Sequence, residues 1–437
     1  VQRLRDLTEA ELLARVLPVY GGLPADPRAV PVGPGDDAAV LAAPSGSVVA
    51  TTDGMVAVRD WRDEWSTGYD VGVKLAAQNL ADVAAMGARP TGLLVSLVAD
   101  PATPVEWAVD LARGLAATAA EAGAPVVGGD VSSAPEGVLV VTATALGDLD
   151  GRAPVLRSGA RPGDVVAVCG SLGRSGAGLA LLLGGAAPPG ARGAGGPGEA
   201  GGAGGPGEVG GAGASGGRGG VGEADGPGGD GGPGGVGGAD GPGGVGGADG
   251  PGGDGGPGGA GETGAYGGPD GAGGPGVVGG SGGAGRPRGE QASGEPGEAL
   301  VRYHLAPRPP WEAGPVAARA GAHALVDVSD GLVTDVGRVA RASGVVVDLD
   351  GTVLRERFAA GDIADALGPD EALRQVLAGG EEHSLVGCFP AGTDLGSLAG
   401  QAWVVIGTVG DIGTDGPRVT VDGAVPDAPG WDHFAGS

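Results

Sequence analysis

Lysine is almost absent from this 437-residue sequence: Lys74 is the only one, and arginine carries the rest of the positive charge. No glycine-rich run precedes Lys74, so the Gly-Lys-Ser/Thr stretch of a P-loop cannot be assembled. The same scarcity argues against a protein kinase. Any phosphate handled here must be met by metal ions, backbone N–H groups and arginine. Cysteine is nearly as rare. Cys169 and Cys388 sit in apolar strand-like runs without metal-ligand spacing, and read as core thiols of a reducing compartment. Aromatic residues make up only 3% of the chain, so its cores must be built from Val, Leu and Ala. No apolar run approaches the ~20 residues of a membrane-spanning helix. The first residues, Val1 to Leu7, hold no hydrophobic stretch of signal type, so a cytoplasmic protein is expected.

Positive charge of any kind is outnumbered, with 26 Lys and Arg against 53 Asp and Glu and a formal charge of −27. Nucleic acid and anionic membranes demand basic patches and are poor partners for such a chain. Divalent cations, which take carboxylate oxygens, suit it well.

What the sequence has in excess is glycine, 101 residues, mostly between Gly184 and Glu298. That stretch carries 13 acids against four arginines, so most of the negative charge belongs to the remainder. Counting every third residue from Gly195 to Gly285, 27 of 31 are Gly; the exceptions are Asp225, Asp240, Asp249 and Asp270. The register hints at collagen, but the intervening positions are themselves often Gly. Nothing in the stretch can bury apolar surface against the entropy of ordering it, so a disordered insert is expected. A long insert costs its host little, because closure entropy grows only logarithmically with length.

Outside it the pattern is α/β (α+β). A short helix capped by Thr8 precedes strand-like runs at Ala38–Ala42 and Ser47–Thr52. Helices are expected over Trp65–Met86 and Val105–Ala122, with strands at Leu93–Val98, Pro125–Val127 and Val138–Leu146. A second domain opens with strand Val165–Cys169, a glycine turn from Gly170 to Gly178, and helix Leu179–Leu183. After the insert it continues with Ala299–Leu305, strand Leu325–Val328, helix Leu332–Ser343 and strand Val345–Leu349. Helix Asp370–Ala378 and strands near Ser384–Phe389 and Trp403–Val409 complete it. The implied parts are 1–150, 151–183, the insert 184–298, and 299–437.

Five aspartate motifs punctuate these elements: Gly35-Asp36-Asp37, Thr51-Thr52-Asp53-Gly54, Asn79-Leu80-Ala81-Asp82, Gly128-Gly129-Asp130 and Asp327-Val328-Ser329-Asp330-Gly331. Singly, each reads as an ordinary turn, and Asp330 as a helix cap. Together they differ, because Asp53, Asp130 and Asp330 each end a predicted β-run, where α/β domains collect ligands. Carboxylates converging there repel unless cations lie between them, which implies Mg²⁺. Lys74, Gln78, Asn79 and Asp82 form a polar stripe on an otherwise apolar helix; it is either a solvated face or an inward one in need of partners. Arg157, just before the second domain, could reach a ligand phosphate or form a surface ion pair. The glycine turn could offer N–H groups to an anion, or serve only tight packing. Glu381, in Gly379-Gly380-Glu381-Glu382-His383, suits a cationic ligand, and Trp431 either staples the tail or stacks on a flat ligand.

In order, the motifs GDD, TTD, NLAD, AAMGA, GGD, RSGA, RYHLAPRP, DVSDG, GGEE and WDHF resemble the thiamine-monophosphate kinase family of the PurM-like superfamily, nearly end to end outside the insert. The resemblance implies a two-domain PurM-like fold whose N-terminal sheet forms a homodimer interface. It implies transfer of the ATP γ-phosphate to thiamine monophosphate, with several Mg²⁺ ions and no protein nucleophile. By similarity Asp37, Thr51, Thr52, Asp53, Asp82, Asp130, Asp327 and Asp330 hold the metal. Gly129, Asp130, Arg157 and Ser329 contact ATP, and Asp60, Glu381 and Trp431 the thiamine side. Two positions depart from the family pattern: Asp60 stands where a His is usual, and Glu382 where an Asp is usual. A divergent paralogue that binds ATP and Mg²⁺ but acts on another substrate, or on none, is the alternative.

Overall fold

The computed structural model describes residues 1–21, 28–30, 41–188, 296–398, 400–428 and 430. The glycine-rich stretch from 189 to 295 lies outside them, as do Asp37, Trp431 and the first half of the strand-like run 38–42. The described parts belong to one compact unit, Val1–Pro197 with Glu290–Ser437.

Thr8 opens helix α1 (Glu9–Tyr20): its hydroxyl accepts the Glu11 N–H while the Glu11 carboxylate accepts the Thr8 N–H, the box expected from the spacing. Strand β1 (Val49–Val56) then leads to α2 (Gly68–Ala85), β2 (Arg89–Ala99), α3 (Val105–Ala122), β3 (Val126–Ser133) and β4 (Leu139–Asp148). The four strands form a sheet in the order β1-β4-β2-β3, antiparallel except for the β2–β3 pair. Its rows follow from the register. Asp53, Ala143, Val95 and Gly129 lie side by side, and the next row is Gly54, Thr142, Ser96 and Asp130. Adjacent rows face opposite sides of a pleated sheet.

One side is covered by α2 and α3, which approach each other through glycine. A Cβ at Gly72 would stand 2.2 Å from the Leu111 carbonyl oxygen, and one at Gly114 would stand 2.0 Å from that of Tyr69. Such contact leaves no room for a side chain.

The second sheet has six strands, β5 (Val165–Cys169), β6 (Ala324–Asp327), β7 (Val346–Leu349), β8 (Leu385–Phe389), β9 (Trp403–Gly410) and β10 (Arg418–Val421), in the order β10-β7-β9-β5-β8-β6. Helices α4 (Arg174–Leu183), α5 (Pro296–Leu305), α6 (Ala313–Arg319) and α7 (Leu332–Ser343) pack around it, with the shorter α8 (Gly351–Leu354) and α9 (Asp362–Leu367), and α10 (Pro369–Ala378). The α4 and α5 pair packs across the insert, with Leu182, Val301 and Leu305 buried together.

Helix α2 is the layer shared by both sheets. Its partners are β1, β4 and α3 on one side and α6, β6 and β8 on the other. This accounts for its composition: 14 of its 18 residues are buried. A helix so enclosed must be apolar nearly all round, and any polar group on it must be paired.

Several elements differ from the sequence expectation. β1 and β3 continue well past the aspartates expected to end them, so Asp53 and Asp130 are mid-strand residues. The cross-strand ladder with neighbouring strands carries both runs through their glycines. α4 starts at Arg174 rather than Leu179, despite two glycines in its first turns. Its N-terminus is stabilised by a distant carboxylate, described below. α6, α8, α9 and β10 are short, and had no periodicity long enough to register. Among the described residues no helix is long and apolar enough to cross a membrane.

Candidate functional site

The polar stripe of α2 faces inward. Asn79 is fully buried, and its side chain bridges two elements: Oδ1 accepts the Asp53 N–H at 3.0 Å and Nδ2 donates to the Leu75 carbonyl at 2.9 Å. One turn on, the Asp82 carboxylate accepts the Thr51 hydroxyl at 2.8 Å. Asp53 shares its row with buried Ala143, and Thr51 pairs with buried Ala145, so both stand on the α2 side of the sheet. Strand β1 and helix α2 thus present Thr51, Asp53 and Asp82 together.

The other half comes from the end of β6. Asp327 is 2% exposed and lies 3.2 Å from Nδ1 of His383. Beyond it the chain turns into α7, and that turn is shaped by Asp335. One Asp335 carboxylate oxygen accepts the N–H groups of both Ser329 and Asp330, at 2.9 Å each. Arg338 bridges Asp335 and Asp330.

The two halves meet electrostatically. Burial pushes the Asp82 carboxyl up to about 7, with Asp327 and then Asp53 adding to the rise against the Thr51 bond. Burial and Asp327 likewise raise Asp335 to about 7, in spite of Arg338. His383 would be lowered by burial, but Asp327 outweighs this and raises it. Among the described residues no three acidic, His or Cys side chains converge at metal-coordination distance. What converges is negative charge on oxygen donors, the chemistry of a hard divalent cation site.

A second cluster lies beside the first. Lys74 donates to Glu381 at 3.0 Å across the junction of α2 and the second sheet, and Nδ1 of His304 lies 3.4 Å from the same carboxylate oxygen. Burial would raise Glu381, but Lys74 prevails and brings it down to about 2. Next in sequence, Glu382 is fully buried and points elsewhere. Its two oxygens accept the N–H groups of Arg174 and Ser175, at 2.8 and 2.9 Å. The anion at the N-terminus of α4 is therefore the chain's own carboxylate, and the glycine turn is filled from within.

Comparison with known proteins places this architecture. Residues 35–149 match the family described as AIR synthase related protein, N-terminal domain. A thiamine-monophosphate kinase of Mycobacterium tuberculosis is 35% identical over 412 residues, covering 94% of this chain and 86% of that protein. The chain belongs to the thiamine-monophosphate kinase family. As a member of that family it is a kinase. Its fold is shared by the crystal structure of thiamine-monophosphate kinase from Stenotrophomonas maltophilia, with a TM-score of 0.63, 23% identity and coverage of 96% of this chain and 98% of that one. It is shared too by AaThiL complexed with AMPPCP and TMP, with a TM-score of 0.59, 21% identity and 99% of both chains covered.

The structure distributes the candidates of this thiamine-monophosphate kinase family member unevenly. Thr51, Asp53, Asp82, Asp327, Ser329 and Asp330 border the junction between α2 and β6. Thr52 and Asp130 stand on the opposite face of the first sheet. The Thr52 hydroxyl donates to the Ala143 carbonyl at 2.9 Å, and Asp130 accepts from Ser132 at 2.8 Å. Gly129 shares the Asp53 row, where a Cβ would come within 1.9 Å of the Val95 carbonyl oxygen. Asp60 closes its own turn by accepting the Val56 N–H at 2.7 Å, beside Val58 in a left-handed conformation. Arg157 is exposed in a short 3₁₀ turn. The sequence reading missed Asp335, His383 and His304. For Asp335 a signal existed, an acid in the first turn of α7; the two histidines gave none, since their partners lie 56 and 77 positions away in the chain.

Proposed function

We propose that the protein transfers the γ-phosphate of ATP to the phosphate of thiamine monophosphate, giving thiamine diphosphate, with Mg²⁺ as its resident cation. The observation that carries this reading is the charge cluster of Asp53 on β1, Asp82 on α2 and Asp327 at the end of β6, gathered at one junction. Burial, Asp327 and Asp53 raise the Asp82 carboxyl, and a cation standing among these oxygens relieves that penalty. Thr51, Asp53, Asp82, Asp327 and Asp330 would hold the metal there. Thr52 and Asp130, on the far face, and Asp37 complete the proposed set. When bound, Mg²⁺ supplies charge compensation between two polyanionic substrates and polarises the transferred phosphoryl group.

The chain's own residues do the positioning. Asn79 fixes the Asp53 backbone, and Asp335 fixes the Ser329–Asp330 turn, so both acidic segments are set before substrate arrives. Ser329, Gly129, Asp130 and Arg157 are assigned to ATP. Glu381, ionised and partly exposed, is assigned to the thiamine cation, with Trp431 and Asp60 on the same substrate. The acceptor phosphate is already an anion with competent oxygens, so no protein nucleophile is required.

We also assign a homodimer paired through the open face of the first sheet, where Val56 and Leu94 are 42% and 37% exposed. A cytoplasmic setting agrees with two buried free thiols. A second reading, a paralogue with a different acceptor, is favoured by Asp60, whose carboxylate is engaged with its own turn. Incubation with ATP, Mg²⁺ and thiamine monophosphate, thiamine or an aminoimidazole ribonucleotide separates the two. Chromatography is expected to show product from thiamine monophosphate alone; turnover of another acceptor in its place would establish the paralogue.

A further inference from the structure

The sole lysine of the chain lies on its most enclosed helix, with a side chain 5% exposed, while the carboxylate it holds is 38% exposed. We propose that Lys74 is a positioning residue for Glu381, keeping that carboxylate ionised and aimed at an organic cation of the substrate. The proposal rests on the thiamine monophosphate reading, whose thiazolium ring carries a permanent positive charge.

An ammonium group this buried requires a counter-ion, and Glu381 provides it at 3.0 Å. The groups facing Glu381 are Lys74 from α2, His304 from α5 and His383 from its own turn. His304 contributes no charge at neutral pH, because burial and Lys74 lower it to about 3; its Nδ1 also bonds Ser175 Oγ at 3.1 Å. Lys74 is therefore the cation directly bonded to the carboxylate. Both contacts fall on Oε2, and among the described residues no group hydrogen-bonds Oε1. One oxygen is gripped from the interior and the other is left to a ligand.

The backbone agrees with a held position. Glu381 and His383 adopt φ values of 58° and 54°, left-handed conformations that non-glycine residues rarely take. Their N–H groups bond the Ser329 and Val328 carbonyls at 2.8 and 2.7 Å, tying Glu381 to the turn that follows Asp327. Lys74 thus links the carboxylate for the cationic end of the substrate to α2, the helix that carries Asp82. A permanently charged ring offers no proton to share, so recognition depends on Glu381 remaining an anion.

The test uses the scarcity of lysine. Protein labelled with ¹³C-lysine gives one side-chain CεH₂ resonance, from Lys74. Glu381→Gln is expected to shift that resonance, and so is thiamine monophosphate. Lys74→Met is expected to raise KM for thiamine monophosphate about tenfold or more, with KM for ATP within about twofold. Lys74→Arg, which keeps the charge, recovers most of the loss. A resonance indifferent to Glu381→Gln, or a folded Lys74→Met with unchanged KM for thiamine monophosphate, overturns the proposal. If the unmodified protein forms no thiamine diphosphate, the functional reading fails by itself, and the response of the resonance to Glu381→Gln still decides the pairing.

Discussion

Asp82 accepts the Thr51 hydroxyl, but burial and two other carboxylates outweigh that bond and the nearby His383, and hold its pKa at about 7. A group so placed is part-protonated near neutrality and exchanges its proton for a divalent cation readily. Asp82→Asn removes a charge that the metal-free protein is better without. The variant is expected to melt no lower than the parent without Mg²⁺, yet to lose roughly 10²-fold or more in kcat. Thermal melts and product assays check the two halves together. His304 makes the opposite kind of contribution. Its folded pKa is about 3, against ~6.5 in the unfolded chain, so the unfolded state binds the extra proton across that window. Stability is then full above about pH 6.5 and falls as the pH drops toward 3, by on the order of a few kcal/mol. Urea unfolding at pH 5 and 7.5 tests this: His304→Gln is expected to flatten the difference, and an unchanged difference would assign it to other groups.

At the scale of elements, the departure at Glu382 acquires a cause. Its carboxylate closes the N-terminus of α4, a helix preceded by Gly173 in the left-handed region and without a side-chain cap of its own. Glu382→Ala leaves the buried Ser175 N–H and the partly buried Arg174 N–H without their acceptor and is expected to cost about 2–4 kcal/mol in denaturant unfolding, whereas Glu382→Gln loses less. A variant as stable as the parent would show that water or another group takes over. The same contact explains what could be read from the sequence and what could not. Long periodic helices such as Val105–Ala122 and Leu332–Ser343 were legible to the residue, since local patterning decides them. The start of α4 was not, because it depends on a residue more than 200 positions away. Likewise, spacing drew attention to Lys74, Asn79 and Asp82 but left open whether they face solvent. Only the second sheet, closing over α2, turns the stripe into the wall of a site. Asp53 and Asp130 were recognisable as candidates, but the strand register that sets them on opposite faces is long-range information.

For the whole molecule, α4 and α5 meet through Leu182, Val301 and Leu305, so the two sides of the insert are already joined by packing. Replacing residues 190–295 with a short linker is expected to leave turnover within about twofold, because loop closure is only weakly length-dependent. Loss of activity or of dimerisation on deletion would give the stretch an active role. The two sheets divide the work: one offers β1 and the other the β6–α7 turn, with α2 between them as common support. The central claim is that the carboxylates gathered at this junction hold the Mg²⁺ that makes phosphoryl transfer possible. It is tested most directly by following thiamine diphosphate formation from ATP and thiamine monophosphate during Mg²⁺ titration, in the unmodified protein and in Asp53→Ala. The account predicts saturable, Mg²⁺-dependent product formation that chelation abolishes and that Asp53→Ala lacks at any Mg²⁺ concentration. Product formation that survives chelation, or an Asp53→Ala variant with the parent's Mg²⁺ dependence, would contradict it.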